Sequence, residues 1–240
     1  MKRLFYTVAL FVMYSVHALA ADGGFYLGQT RVVFPSDKKS VSLQVTNSDA
    51  KKDWLLRSWV SQYNDKDKSS TPFIITPPLY RLNGDSSIQL RINAVDTTKL
   101  PADRESVFRI NVMAIPPENA EAAKPEKNTA SGSIQFALNN RIKLFFRPET
   151  LNNPELTDKA WKKITVRQQG ENIIFSNPTP YFITLSNLKV SGAELKNTPA
   201  DTMISPQGEL KLPVSGHARS LDFQTINDYG GTTEKKTVTF

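Results

Sequence analysis

The sequence predicts an all-β chain folded as two successive β-sandwiches. Three observations carry that reading. Nearly every periodic segment alternates with a period of two. The segments are short and separated by turn-forming residues. No helical stretch of useful length stands between them. About 220 residues beyond the leader are enough for one large or two ordinary domains.

The first element is a leader. "MKRLFYTVALFVMYSVHALA" opens with Lys2 and Arg3, runs through an apolar stretch and ends in Ala18-Leu19-Ala20, the head, middle and cleavage site of a secretory signal peptide. Tyr14, Ser15 and His17 argue against a membrane anchor, which takes about twenty apolar residues. Residues 1–20 are therefore expected to be removed, leaving an exported, soluble chain. No later segment is long and apolar enough to predict membrane insertion.

The strands come next. "TRVVFP", "SVSLQVTN", "WLLRSWVSQY", "PFIITPPLYRL", "SIQLRIN" and "ESVFRINVMAIPP" follow one another, punctuated by "PSDKK", "SDAKKD", "NDKDKSST" and "NGDSS". Val41, Leu43 and Val45 share one face; so do Phe108, Ile110, Val112 and Ala114. About seven strands before residue 148 fit an immunoglobulin-like sandwich. "DTTKLPADRE" holds a turn at most, because Pro101 interrupts it. "PPENAEAAKPEKNTASG" has no large apolar side chain and reads as a loop, a solvated linker or else a partner contact.

"SIQFALNNRIKLFFRP" alternates for about thirteen residues, roughly 43 Å at ~3.3 Å per residue, against about five or six for an ordinary strand. Pro148 ends it, and the polar run "FRPETLNNPELTDKAWKK" marks a domain junction. The predicted units are 21–148, which includes this strand, and 149–240. The second unit again shows short strands: Ile173 to Phe175, Tyr181 to Leu185, Leu221 to Ile226 and Thr237 to Phe240.

Composition narrows the chemistry. The formal charge of +7, of which Lys2 and Arg3 carry two, comes from scattered lysines, so nucleic-acid binding is not expected. Without cysteine there are no disulfides, and with one histidine beyond the leader, His217 in "PVSGHARS", a zinc site would be mostly carboxylate. No GxSxG elbow accompanies His217, and the paired glycines at 23–24 and 230–231 lack a phosphate-loop signature. Neither catalysis, a metal nor a cofactor is expected.

Two sets of residues admit a functional reading beside a plain one. Arg31 and Lys143 are either solvent-facing strand residues or an anion clamp, the latter only if their strands bring them together. Ile134, Phe136 and Leu138 belong either to an interior strand or to an exposed edge able to add itself to a partner's sheet.

Six segments in order and spacing, "LGQTRVVFP", "FIITPPLYRL", "LPADRESVFRINVMAIPP", "QFALNNRIKLFFRP", "NPTPYFITL" and "TINDYGG", resemble the PapD-like periplasmic chaperones of the chaperone–usher pilus pathway. The resemblance implies two immunoglobulin-like domains in a boomerang arrangement with an interdomain cleft. It implies fimbrial subunits as partners, capped by donor-strand complementation and delivered to an outer-membrane usher; PapD and donor-strand complementation are themselves standard examples of this architecture and this binding mode. Ile134, Phe136 and Leu138 match the donated side chains, and Ile142, Leu144 and Phe146 fall to the chaperone's own core. Arg31 and Lys143 match the cations that grip the subunit's C-terminal carboxylate. Glu105, Arg147 and Asp228 match a charge network that sets the domain angle. When free, such a chaperone could hide its edge in a self-capping oligomer. The segment after "AIPP" is longer than in short-loop members, yet the cysteine pair frequent in long-loop members is missing, which leaves the subfamily open. The alternative is a secreted two-domain adhesive or structural fibre subunit, for which "ADGGFYLGQT" is too short a donor extension.

Overall fold

The computed structural model describes residues 23–64, 66–117, 136–195, 199 and 201–240. The leader, most of the loop after "AIPP" and Ile134 lie outside the described residues.

The first unit is a sandwich of two sheets. One has the order β1 (Phe25–Leu27), β3 (Ser40–Asn47), β7 (Ser86–Ala94), β5 (Phe73–Thr76). The other has the order β2 (Arg31–Pro35), β9 (Leu138–Arg147), β8 (Ser106–Ile115), β4 (Trp54–Gln62), β6 (Leu79–Leu82). Their facing side chains form one core. Leu43, Val45, Leu90 and Ile92 come from the first sheet, and Val32, Phe34, Ile110, Val112 and Leu144 from the second. Phe73 sits at its centre, with ring centroids 5.1 Å from Phe34, 5.2 Å from Phe108 and 6.0 Å from Phe146. Burying each such side chain contributes about 1.5–3 kcal/mol, and this burial is what selects the two-residue alternation.

"PFIITPPLYRL", read as one strand segment, is two. β5 and β6 lie in different sheets, separated by the cis Thr76–Pro77 peptide and Pro78. Proline cannot continue a ladder, so the chain crosses from one sheet to the other here.

The polar junction holds a short helix that period alone did not reveal, α1 (Pro154–Lys159), flanked by 3-10 turns at Glu149–Leu151 and Ala160–Lys163. The Asn153 side chain accepts the Glu155 N–H, and Pro154 fills the first helical position, where a missing N–H is harmless.

The second unit packs a sheet of β10 (Thr165–Gln169), β11 (Asn172–Ser176) and β15 (Glu209–Pro213) on another. The latter runs β13 (Ala193–Glu194), β12 (Ile183–Val190), β16 (Ser220–Ile226), β17 (Lys236–Thr239), with β14 (Met203–Ile204) also on β12. Ile173, Phe175 and Leu212 meet Ile183, Leu185, Leu221 and Phe223 in a second core, where Phe175 and Phe223 stack edge to face at 5.5 Å.

Candidate binding site at the junction of the sandwiches

β9 is the element that builds the site, and its two halves have different surroundings. From Lys143 to Phe146 it lies between β8 on one side and β2, in parallel register, on the other, and Arg147 pairs with β2 alone. From Leu138 to Ile142 it pairs with β8 alone, and among the described residues no strand pairs with its other edge. The side chains follow the same division. Leu144 and Phe146 are buried and Ile142 packs against the core, whereas Leu138 is 52% and Phe136 74% exposed. The strand begins at Leu138, so Phe136 precedes its first paired residue.

The parallel register places Arg31 directly opposite Lys143, and the β8 register places Arg109 on Lys143's other side. Spacing alone could not bring Arg31 and Lys143 together, because their pairing depends on topology, and Arg109 was not among the residues read as a clamp. Arg31 is only 8% exposed; its Nη1 donates to the Ile226 carbonyl at 3.2 Å and its guanidinium lies 5.9 Å from the Phe145 ring. Among the described residues its buried Nε has no hydrogen-bond partner. A buried donor without an acceptor costs about 1–3 kcal/mol. Lys143 Nζ donates to Thr184 Oγ1 at 3.1 Å in the second sandwich and lies 3.4 Å from Asp201 Oδ1.

The three charged residues matched to a network meet across the junction. Arg147 Nε donates to Glu105 Oε1 at 2.7 Å, while Nη1 and Nη2 donate to the two Asp228 oxygens at 2.7 and 3.0 Å. Glu105 Oε2 accepts the Phe182 N–H at 2.8 Å, and the Glu105 N–H reaches the Pro180 carbonyl. Local sequence shapes both receiving loops. In "NPTPYF", buried Asn177 donates to the Tyr181 and Ser205 carbonyls while its oxygen accepts the Thr179 N–H, which presents Pro180 and Phe182 to Glu105. In "INDYGG", Asn227 accepts the Tyr229 and Gly231 N–H groups and Gly230 takes φ +86°, a turn that presents Asp228.

Residues 24–152 match the pili and flagellar-assembly chaperone family through its PapD N-terminal domain, and residues 159–237 match the pili assembly chaperone PapD C-terminal domain. The chain belongs to the PapD-type pilus-assembly chaperones. It is 38% identical over 214 residues to the Escherichia coli chaperone protein FocC, covering 88% of each chain. With chaperone protein FimC of Escherichia coli K12 it shares 38% over 219 residues, covering 90% of this chain and 85% of FimC. The solved periplasmic chaperone SfaE superposes with TM-score 0.73 at 35% identity, over 90% of this chain and 100% of SfaE. A chain of the Salmonella enterica SafA pilin–SafB chaperone complex superposes with TM-score 0.76 at 27% identity, over 90% and 96%.

Electrostatics at this chaperone's junction follow from burial. Burial pushes both the Arg31 guanidinium and the Lys143 ammonium below their ordinary values, opposed by Asp228 at Arg31 and by Asp201 at Lys143. At Arg147 burial works the same way, but the Asp228 hydrogen bonds and the charges of Glu105 and Asp228 outweigh it and hold the guanidinium above its usual range. Burial pushes Glu105 up, and the Arg147 charge with the Phe182 N–H acts against that rise.

Several participants carried no sequence signal. Phe145 of the first sandwich packs its ring, tilted, 5.9 Å from that of Phe182 in the second and closes the junction between them. Thr184 from β12, Arg109 from β8, and Tyr63 and Asp201 from loops gather around Lys143. His217 is an exposed loop residue, and the described residues contain no carboxylate–histidine cluster that could hold a metal.

Proposed function

We propose that this chaperone acts in the periplasm, binding fimbrial subunits one at a time by lending them the outer half of β9, and that it passes them to an outer-membrane usher. The observation that carries the reading is the Arg31–Lys143 pair seated beside a strand half that, among the described residues, pairs with no strand on its outer edge and exposes alternate apolar residues. A subunit strand adds to the edge of Leu138–Ile142 through backbone hydrogen bonds. Phe136 and Leu138, with Ile134 before them, enter the subunit's groove; burying each contributes about 1.5–3 kcal/mol. The subunit's terminal carboxylate bonds Arg31 and Lys143 through charge-assisted contacts, and anchoring one end fixes the register of the whole strand. Glu105, Arg147 and Asp228 hold the second sandwich so that Thr184 and Ile226 stay beside the anchor. The work is binding and release, with no bond made or broken and no cofactor required.

The test is co-purification of a tagged fimbrial subunit from the periplasm with wild type, Arg31→Ala and Lys143→Ala. Both variants are expected to lose most of the subunit. Retention equal to wild type in both contradicts the carboxylate anchor.

A further inference from the structure

Lys143 is already paired. Asp201, which precedes β14 in the second sandwich, places Oδ1 3.4 Å from Lys143 Nζ and accepts the Tyr63 hydroxyl on Oδ2 at 2.7 Å. Its own turn holds it too, because Oδ1 accepts the Met203 N–H at 3.2 Å. Tyr63, which follows β4, is fixed in turn by Arg109. The Arg109 guanidinium stacks 4.2 Å from the Tyr63 ring, and its Nε donates to the Tyr63 carbonyl at 2.8 Å. Groups from both sandwiches therefore aim one carboxylate at the cation proposed to receive the subunit's.

We propose that Asp201 is an internal stand-in for the subunit carboxylate, held by Tyr63 on Lys143 in the free chaperone and displaced when a terminal carboxylate arrives. This rests on the anchor reading of Arg31 and Lys143. The two cations are unequally satisfied. Lys143 has Thr184 and Asp201, while among the described residues Arg31 keeps a buried Nε without a partner. A terminal carboxylate that bridges both cations must take Lys143 from Asp201. Exposure permits the exchange: the Asp201 side chain is 45% exposed against 19% for Lys143, so Asp201 can turn to water while the ammonium stays covered. The arrangement satisfies a half-buried ammonium between clients and lowers apparent affinity by the fraction of chaperone in the self-paired state. Terminal carboxylates that engage Arg31 as well are favoured over acidic side chains that reach Lys143 alone.

The probe is a short synthetic peptide of alternating valine and threonine ending in a free carboxylate, with its C-terminally amidated twin. Both are titrated by NMR into wild type, Asp201→Asn and Tyr63→Phe. A partly exposed ion pair of this kind is worth about fivefold in an equilibrium. Asp201→Asn is expected to bind the free-acid peptide about fivefold tighter than wild type, with the amide unchanged. Tyr63→Phe, which removes only the hydroxyl, shifts affinity the same way by less. If wild type prefers acid to amide but both variants bind the acid no tighter than wild type, the stand-in role of Asp201 is overturned and the anchor survives. If wild type does not distinguish acid from amide, the anchor itself fails, and the stand-in with it.

Discussion

The Arg147 guanidinium at the end of β9 grips both oxygens of Asp228, in the second sandwich, at 2.7 and 3.0 Å. It donates to Glu105 at the same time, so one buried side chain ties β9 to the neighbouring unit. Removing one partner of a buried pair leaves an uncompensated charge, which costs about 3–5 kcal/mol. Arg147→Ala is therefore expected to lower stability in urea unfolding by roughly that amount. Asp228→Asn costs less, because the Asp228 side chain is 34% exposed and water replaces part of its contact. Small-angle scattering on Asp228→Asn is expected to show a wider spread of domain orientations than wild type.

Phe136 makes the opposite prediction. At 74% exposure it contributes little to the free chaperone, so Phe136→Asp leaves stability within about 0.5 kcal/mol by urea unfolding. In the same periplasmic co-purification it is expected to retain little subunit. Global unfolding of the variant would mean that the outer half of β9 is a core strand after all.

Lys143 carries a cost of burial in the free protein. Burial lowers its titration below the ordinary lysine value, with Asp201 opposing and Arg31 and Arg109 adding to the fall. Between that lowered value and the unfolded chain's value of about 10.4, the unfolded state binds more protons, so wild-type stability rises with pH through that window. Below the window the buried charge is a constant cost. Lys143→Met is expected to be more stable than wild type at neutral pH by roughly 1 kcal/mol, with an advantage that shrinks as pH climbs toward about 10.4. Paired thermal melts of the two proteins across that range check the sign.

Gly230 is a backbone requirement at the junction. Its φ of +86° disfavours any L side chain, and a Cβ there would meet the Thr30 hydroxyl, next to Arg31. Gly230→Ala is expected to cost about 1–2 kcal/mol and to weaken subunit retention by shifting the "INDYGG" turn. Urea unfolding combined with co-purification reads both.

Much of the fold was legible because each sandwich buries one face of every long strand. Leu43 with Val45, and Phe108 with Ile110 and Val112, announce that face by alternation alone. What escaped the sequence were properties of topology and local caps. The split at Thr76–Pro77 sends two halves of one periodic run to different sheets, and Asn153-Pro154 starts a helix too short to show a period. At the site, Phe136 and Leu138 could be read as a possible edge, but the space beside them depends on β2 ending its pairing at Lys143. Arg31 and Lys143, singled out by the resemblance, become neighbours only through a parallel register, and Tyr63 and Asp201 meet only through the approach of two sandwiches.

The most direct test of the account is backbone amide hydrogen exchange over residues 136–142, compared between the free chaperone and its purified complex with a fimbrial subunit. Addition of a subunit strand to the open edge of β9 predicts strong new protection of those amides in this segment that face away from β8. Unchanged exchange there, with protection appearing only elsewhere on the chaperone, would contradict donation of the β9 edge.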